Sequence, residues 1–506
     1  MKRTTISLLA TATALVAITG FASLTAPEDT DPATAAAAPA RLPVERSSLL
    51  CPAPSSSELA ETAYTSVTPA TKGGTGETGK AELTPPSGIL TAPGDDPKKK
   101  AAQKAAAEKP LIALKAPGKP VAAEASGGDA PALIGTASGR LAPGWTAQQT
   151  TTVEAGGARG VLGMSCTPPD TEFWFPGAST AKERQDYIHL TNPDDTPAIV
   201  DIELYGKEGE LKTMLTEGIP VSAGSSFPIL LSTLTSEVTP DVTVHVTTRT
   251  GRIGAAVRTA EESVGVDWLT AAADPASRQV LPGIPADATS VRLVVFAPGD
   301  NDADLKIELA GPGGRFVPSG GESLHVKSGM TASLELRDVT KGEAGSLIVG
   351  PTPGTRATPV VAALRVVRGK GDKQEVAFIP ATVPVGERAS VADNRAEGGT
   401  LSLTAPGAAA EVTVTASAGT EGGEPVSKTY ALKAGATLAV APPAPAGLKG
   451  SYGLTVETES GGPVYASRSL VLPEDGIAMF TVQTLPDDRG TVAVPEAEQD
   501  LSVLDD

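Results

Sequence analysis

Chemistry needs particular residues at particular spacings, and this chain offers few. Gly74-Thr75-Gly76-Glu77-Thr78-Gly79-Lys80 has the G-x-x-x-x-G-K spacing of a phosphate-cradling loop. Ala81 stands where a Ser or Thr would hold magnesium, and the flanking segments are strand-like, with no helix N-terminus to face phosphates. The stretch reads as a mobile hairpin loop, and no nucleotide is expected. Asp300, Asp302 and Asp304 are spaced like the first three ligands of a calcium loop, but Leu305 and Gly311 replace the Gly and Glu that complete it. A solvated turn is the simpler reading, with an opportunistic calcium site as the alternative. The three histidines, His189, His245 and His325, lie in strand patterns without a nucleophile or metal partner at a telling spacing. No G-x-S-x-G elbow, H-E-x-x-H helix or Cys/His metal spacing occurs, and nothing singles out a pair among the 59 acidic residues. The expectation is a protein that is not an enzyme, with no catalytic, cofactor or metal residue to assign.

Two sets of residues point to structural chemistry instead. The two cysteines, Cys51 and Cys166, read as a disulfide if the chain is exported, and as two buried thiols otherwise. Closing a loop of about 115 residues contributes roughly 4–5 kcal/mol in the chain-entropy picture. Arg258, Arg365 and Arg468 recur, each after a small-apolar run on the closing strand of a repeat. Either each pairs with a carboxylate of a neighbouring strand or domain and fixes a joint, or each is an edge charge that blocks sheet-to-sheet aggregation. Phe173-Trp174-Phe175 is the densest aromatic cluster, yet the counterparts of Trp174 in the later repeats, Val280 and Phe378, are apolar. That makes it a core or domain-junction site rather than a sugar platform; Trp145 and Trp268 read as packing too. Lys98, Lys99, Lys100, Lys104 and Lys109 form a basic cluster that reads as one solvated face of a short helix.

The elements that would position these residues follow from bulk properties first. A chain of 506 residues is too long for one core and implies roughly three to five domains. Only 3% of residues are aromatic, so the cores must be built from Val, Ile, Leu and Ala, which suits small sandwiches. The net charge of −18 argues against nucleic acid, whose phosphates need a basic surface. Lys2 and Arg3 precede an apolar run, with small residues at Ala22 and Ala26, so residues 1–26 read as a secretory signal peptide. Left uncleaved, Ile6 to Leu24, about 19 residues, would form an N-terminal membrane anchor.

Along the chain, residues 27–44 read as a disordered Ala/Pro/Thr linker, and 45–172 as an N-terminal β module with an Ala/Lys-rich insertion near 95–110. Three repeats about 105 residues apart follow, at 173–278, 279–376 and 377–477, before C-terminal strands and an acidic tail at 478–506. Their landmarks are Phe175-Pro176, Leu281-Pro282 and Ile379-Pro380, then the alternating triads Val200/Ile202/Leu204, Leu305/Ile307/Leu309 and Val412/Val414/Ala416. Period-2 alternation broken by Gly, Pro and Asp turns predicts an all-β protein: tandem antiparallel, immunoglobulin-like β-sandwiches in a row, a rod of domains.

Cys51 and Cys166, the stretch from Cys166-Thr167-Pro168-Pro169 to Phe173-Trp174-Phe175, Gly177 and Leu190-Thr191-Asn192-Pro193 together resemble uncharacterised secreted actinobacterial proteins with a conserved domain of unknown function. The resemblance implies export and an envelope context and supplies no catalytic residues. The function expected is that of a non-catalytic, secreted, cell-envelope-associated scaffold or interaction module. Its partner would be an unknown envelope protein or polymer. The alternatives are a carbohydrate- or cell-wall-binding protein and an accessory subunit of an envelope-polymer enzyme.

Overall fold

The structure is a computed structural model that describes residues 40–70, 78–87, 109–157, 159–214 and 217–494. The signal peptide, most of the linker, residues 74–77 of the Gly-rich loop, nearly all of the Ala/Lys insertion and the tail beyond residue 494 lie outside the described residues. The chain divides into two units. One is Met1–Leu42 with Val492–Asp506, whose described residues, 40–42 from the end of the expected linker and 492–494, are strand residues of a two-stranded sheet. The other, Pro43–Thr491, holds four sandwiches.

The first repeat shows the plan. One sheet is ordered Glu172–Ala178, Val242–Thr250, Ala198–Gly206, Gly209–Glu210; the other is ordered Ser226–Leu230, Arg184–Thr191, Gly254–Glu261, Gly265–Leu269. The pairing is antiparallel. Strict burial alternation along Ala198–Gly206 sends Val200, Ile202 and Leu204 inward, as a pleated strand with one solvated face requires. The triads of the second and third repeats are buried in the same way. All-β tandem sandwiches are therefore the fold.

The sheets move the expected boundaries. Glu375–Pro380 pairs with Val361–Arg368 and closes the second repeat, so Ile379-Pro380 does not open the third. The third repeat opens on Arg388–Asn394 and closes on Ile477–Thr484, which pairs with Tyr465–Glu474 and belongs to that sandwich, not to separate C-terminal strands. The landmark that does recur is a bulge in the first strand, at Pro176/Ala178, Leu281/Ile284 and Val391/Asn394. Each bulge turns on a residue of positive φ: Gly177 (99°), Gly283 (90°) and Asp393 (53°). Asp tolerates this region better than most side chains, which is how the third copy loses its Pro-Gly signature.

In space the row closes. The last strands of the four sandwiches, Gly160–Ser165, Gly265–Leu269, Glu375–Pro380 and Ile477–Thr484, lie side by side in sequence order, and the fourth also lies against the first. We call these the axial strands. At the two joints between repeats the core of one sandwich continues onto the outer face of the next. The first repeat's core takes in Ala363, Val367, Val376 and Phe378 of the second, whose own core takes in Phe480 and Val482 of the third.

Candidate functional site

The expected disulfide is formed. Cys51 ends the first strand of the N-terminal module, Cys166 follows its axial strand, and their Cα atoms are 4.7 Å apart.

The three arginines meet three different environments. Arg258 and Arg365 share a register: each lies two residues beyond a small residue, Ala256 or Ala363, that opposes His189 or Val294. Both therefore project from the outer face toward the preceding module. In the third repeat the residue opposing Ser402 is Ser467, so Arg468 is only one step beyond it. A slip of one residue turns a side chain to the other face. Arg468 is accordingly buried in its own sandwich, donating from Nη2 to the Ala392 carbonyl at 3.3 Å; burial pulls its pKa down to about 10, while Asp393 favours its charge. It makes no ion pair across a joint, and the corresponding outer-face residue is Ser469.

Arg365 does span a joint. Its Nε and Nη2 donate to Glu261 Oε2 at 3.0 and 2.6 Å, both side chains being mostly buried. The same joint carries Arg292 on Asp241 and a cation over an aromatic ring, Arg184 above Phe378. Trp174 also sits there, stacked on His245 and packed against Phe296, which makes it a junction residue. His245 bridges Glu172 and Glu203, each at 2.9 Å.

Arg258 lies at the first joint, between the N-terminal module and the first repeat, with its guanidinium 5.3 Å from the Tyr187 ring centroid. Apolar packing closes most of this joint, with Arg159 Nη2 donating across it to the Val264 carbonyl at 3.3 Å. Ala60, Val153, Leu162 and Met164 meet Ala256, Val266 and Trp268. His189 lies edge-on to Trp268, and burial pulls its pKa down to about 3. His325, in the second repeat, pairs with Asp304 at 2.8 Å, and Asp302 accepts from the Ser328 N–H, so these turn carboxylates have protein partners. Among the described residues no group of three His, Cys, Asp or Glu is placed to hold a metal ion.

Sequence reasoning missed the axis. Residues Gly160, Gly265, Glu375 and Met479 oppose corresponding positions of the neighbouring strands, and Leu162, Asp267, Ala377 and Thr481 form the next layer. Gly160 and Gly265 leave the space that Glu375 fills; a Cβ on either would run into its carboxyl. Glu375 is buried, which pushes its pKa up to about 8. In the next layer Asp267 accepts from the Gly163 N–H at 3.2 Å and meets Thr481 Oγ1 at 3.0 Å. Burial pushes Asp267 well above the usual carboxylate range. The available signal was an acid inside a short apolar strand, Val266-Asp267-Trp268-Leu269.

Fold and joints together define a closed assembly of immunoglobulin-like sandwiches. Residues 121–443 match the family described as "Family of unknown function (DUF5719)", and the chain belongs to it. The match runs from inside the N-terminal module into the third repeat, so it includes every residue named above at the second joint. No curated protein matches the chain.

Proposed function

We propose that this protein is a non-catalytic, exported interaction module that acts as a scaffold at the cell envelope. The observation that carries the reading is the set of interlocked joints. Loops of four sandwiches are held in fixed relation by shared cores, the Arg365–Glu261 pair and the buried axial layers. A preorganised multi-loop surface binds a partner without the ordering cost that flexible tandem domains incur. The Cys51–Cys166 bridge suits an oxidising compartment, and among the described residues no helix is long and apolar enough to cross a membrane. Trp145, Trp174 and Trp268 are all buried, so none offers a platform for sugar stacking, which favours a protein partner over a polysaccharide.

Crosslinking in intact cells followed by recovery of the protein tests this. The expected result is reproducible capture of one or a few envelope proteins. Firm retention on purified peptidoglycan or arabinogalactan with no protein captured would replace it with the cell-wall-binding reading.

A further inference from the structure

The pseudo-repeat supplies its own control for Arg258. At the second joint Arg365 is neutralised by Glu261, which ends the strand before the axial hairpin and opposes Gly265. The matching residue of the N-terminal module opposes Gly160, which shares the backbone geometry of Gly265 (φ 151° and 150°). That residue is Val153. The first joint therefore has the arginine but lacks the acid at the position of Glu261. Arg258 makes no ion pair among the described residues; its contact is the Tyr187 ring, and burial lowers its pKa, so its charge is neither paired nor fully hydrated. A chain of net charge −18 has no shortage of carboxylates to place there.

The position is also accessible. Arg258 and Tyr187 line a cleft of about 430 Å³ between the two modules, together with Ser56, Lys182, Gln185 and Glu262. We propose that this cleft is a binding site for a carboxylate-bearing ligand, whose acid occupies on Arg258 the place that Glu261 occupies on Arg365. Arg presents a planar fork matched to a carboxylate, and a partly desolvated fork gains most from being paired. The lining carries Lys182 and also Glu183 and Glu262, so Arg258 is set apart by its unpaired, partly desolvated fork and not by a net positive cleft; Glu183, Glu262 and Gln185 can accept from hydroxyl or amide donors on a ligand. Two sources share this chemistry, a peptide chain end and a sugar acid. This site adds a ligand to the scaffold reading and stands independently of it.

Titration calorimetry on the full chain tests the assignment with defined probes: N-acetyl-alanyl-alanine and its amide, D-glucuronate and its methyl ester, and inorganic phosphate. One of the two acids is expected to bind, with its neutral counterpart at least tenfold weaker, and which acid binds identifies the source. Arg258→Gln is expected to weaken that acid tenfold or more while melting like the wild type, and Arg365→Gln to leave it unchanged. Failure of both acids to bind, binding that survives Arg258→Gln, or binding of phosphate alone would overturn the proposal.

Discussion

The first and second joints use the same register for opposite ends. Arg365 meets an acid from the preceding module, and Arg258, in the same position one module earlier, faces a cleft because the preceding module supplies Val153. Both joints close, so docking one sandwich on the next does not require an ion pair at this register; apolar packing and hydrogen bonds from Arg159 and Gly163 hold the first joint. At about 25 cal/mol per Å², the side chains shared between modules outweigh what one mostly buried ion pair contributes net of its desolvation. The charge pair at the second joint then fixes alignment. Where it is missing, an arginine is released from that duty and left available to something outside the chain.

Breaking the N-terminal module should have the largest effect on this contrast. The first joint is built on the segment that Cys51–Cys166 staples. Replacing both cysteines with Ala should cost about 2–5 kcal/mol in denaturant melts. Hydrogen exchange should rise first in Ala60–Val67 and Gly160–Ser165, with Val361–Arg368 still protected.

The axis, common to both joints, predicts a pH dependence. Glu375 is an acid whose folded pKa, about 8, lies above the ordinary glutamate value of 4.5 because it is buried, so the folded protein holds the proton more tightly. The stability it contributes is complete below about pH 4.5 and declines as pH rises to about 8, by a few kcal/mol. Asp267 acts in the same direction. Glu375→Gln should flatten that part of the profile in urea melts taken between pH 5 and 9. An unchanged slope would show that the axial acid does not govern it. Gly163→Val, which would push a side chain into Thr481 and Gln483, should cost about 1–3 kcal/mol and loosen the contact between the fourth and first modules before either arginine joint.

Much of the sandwich architecture was legible because period-2 alternation is a local signal. Val200, Ile202 and Leu204 fall inside for the reason their spacing suggested. Other features depended on information that spacing does not carry. The third Pro pair, Ile379-Pro380, was a false landmark: what recurs in all three repeats is a bulge needing positive φ, which Asp393 satisfies without resembling Pro-Gly. Arg468 matched its fellows in type and neighbourhood but was one residue out of register, and in a strand that is the difference between a joint and a core. Closure of the row was not legible at all, because the axial strands meet through side chains and not through ladder pairing. The same is true of Glu375, which fills space left by glycines of two other modules, and of Asp267, whose partners Gly163 and Thr481 belong to other modules.

The contrast between the two arginines is the centre of the account, and thermal melts of Arg258→Ala and Arg365→Ala, run side by side, test it most directly. Removing Arg365 leaves Glu261 mostly buried without its partner, and should cost about 1–3 kcal/mol, a drop of a few degrees. Removing Arg258 breaks no ion pair and should move the melt by less than about 0.5 kcal/mol. Equal losses in the two variants, or a larger loss for Arg258→Ala, would contradict the claim that only the second arginine holds a joint together.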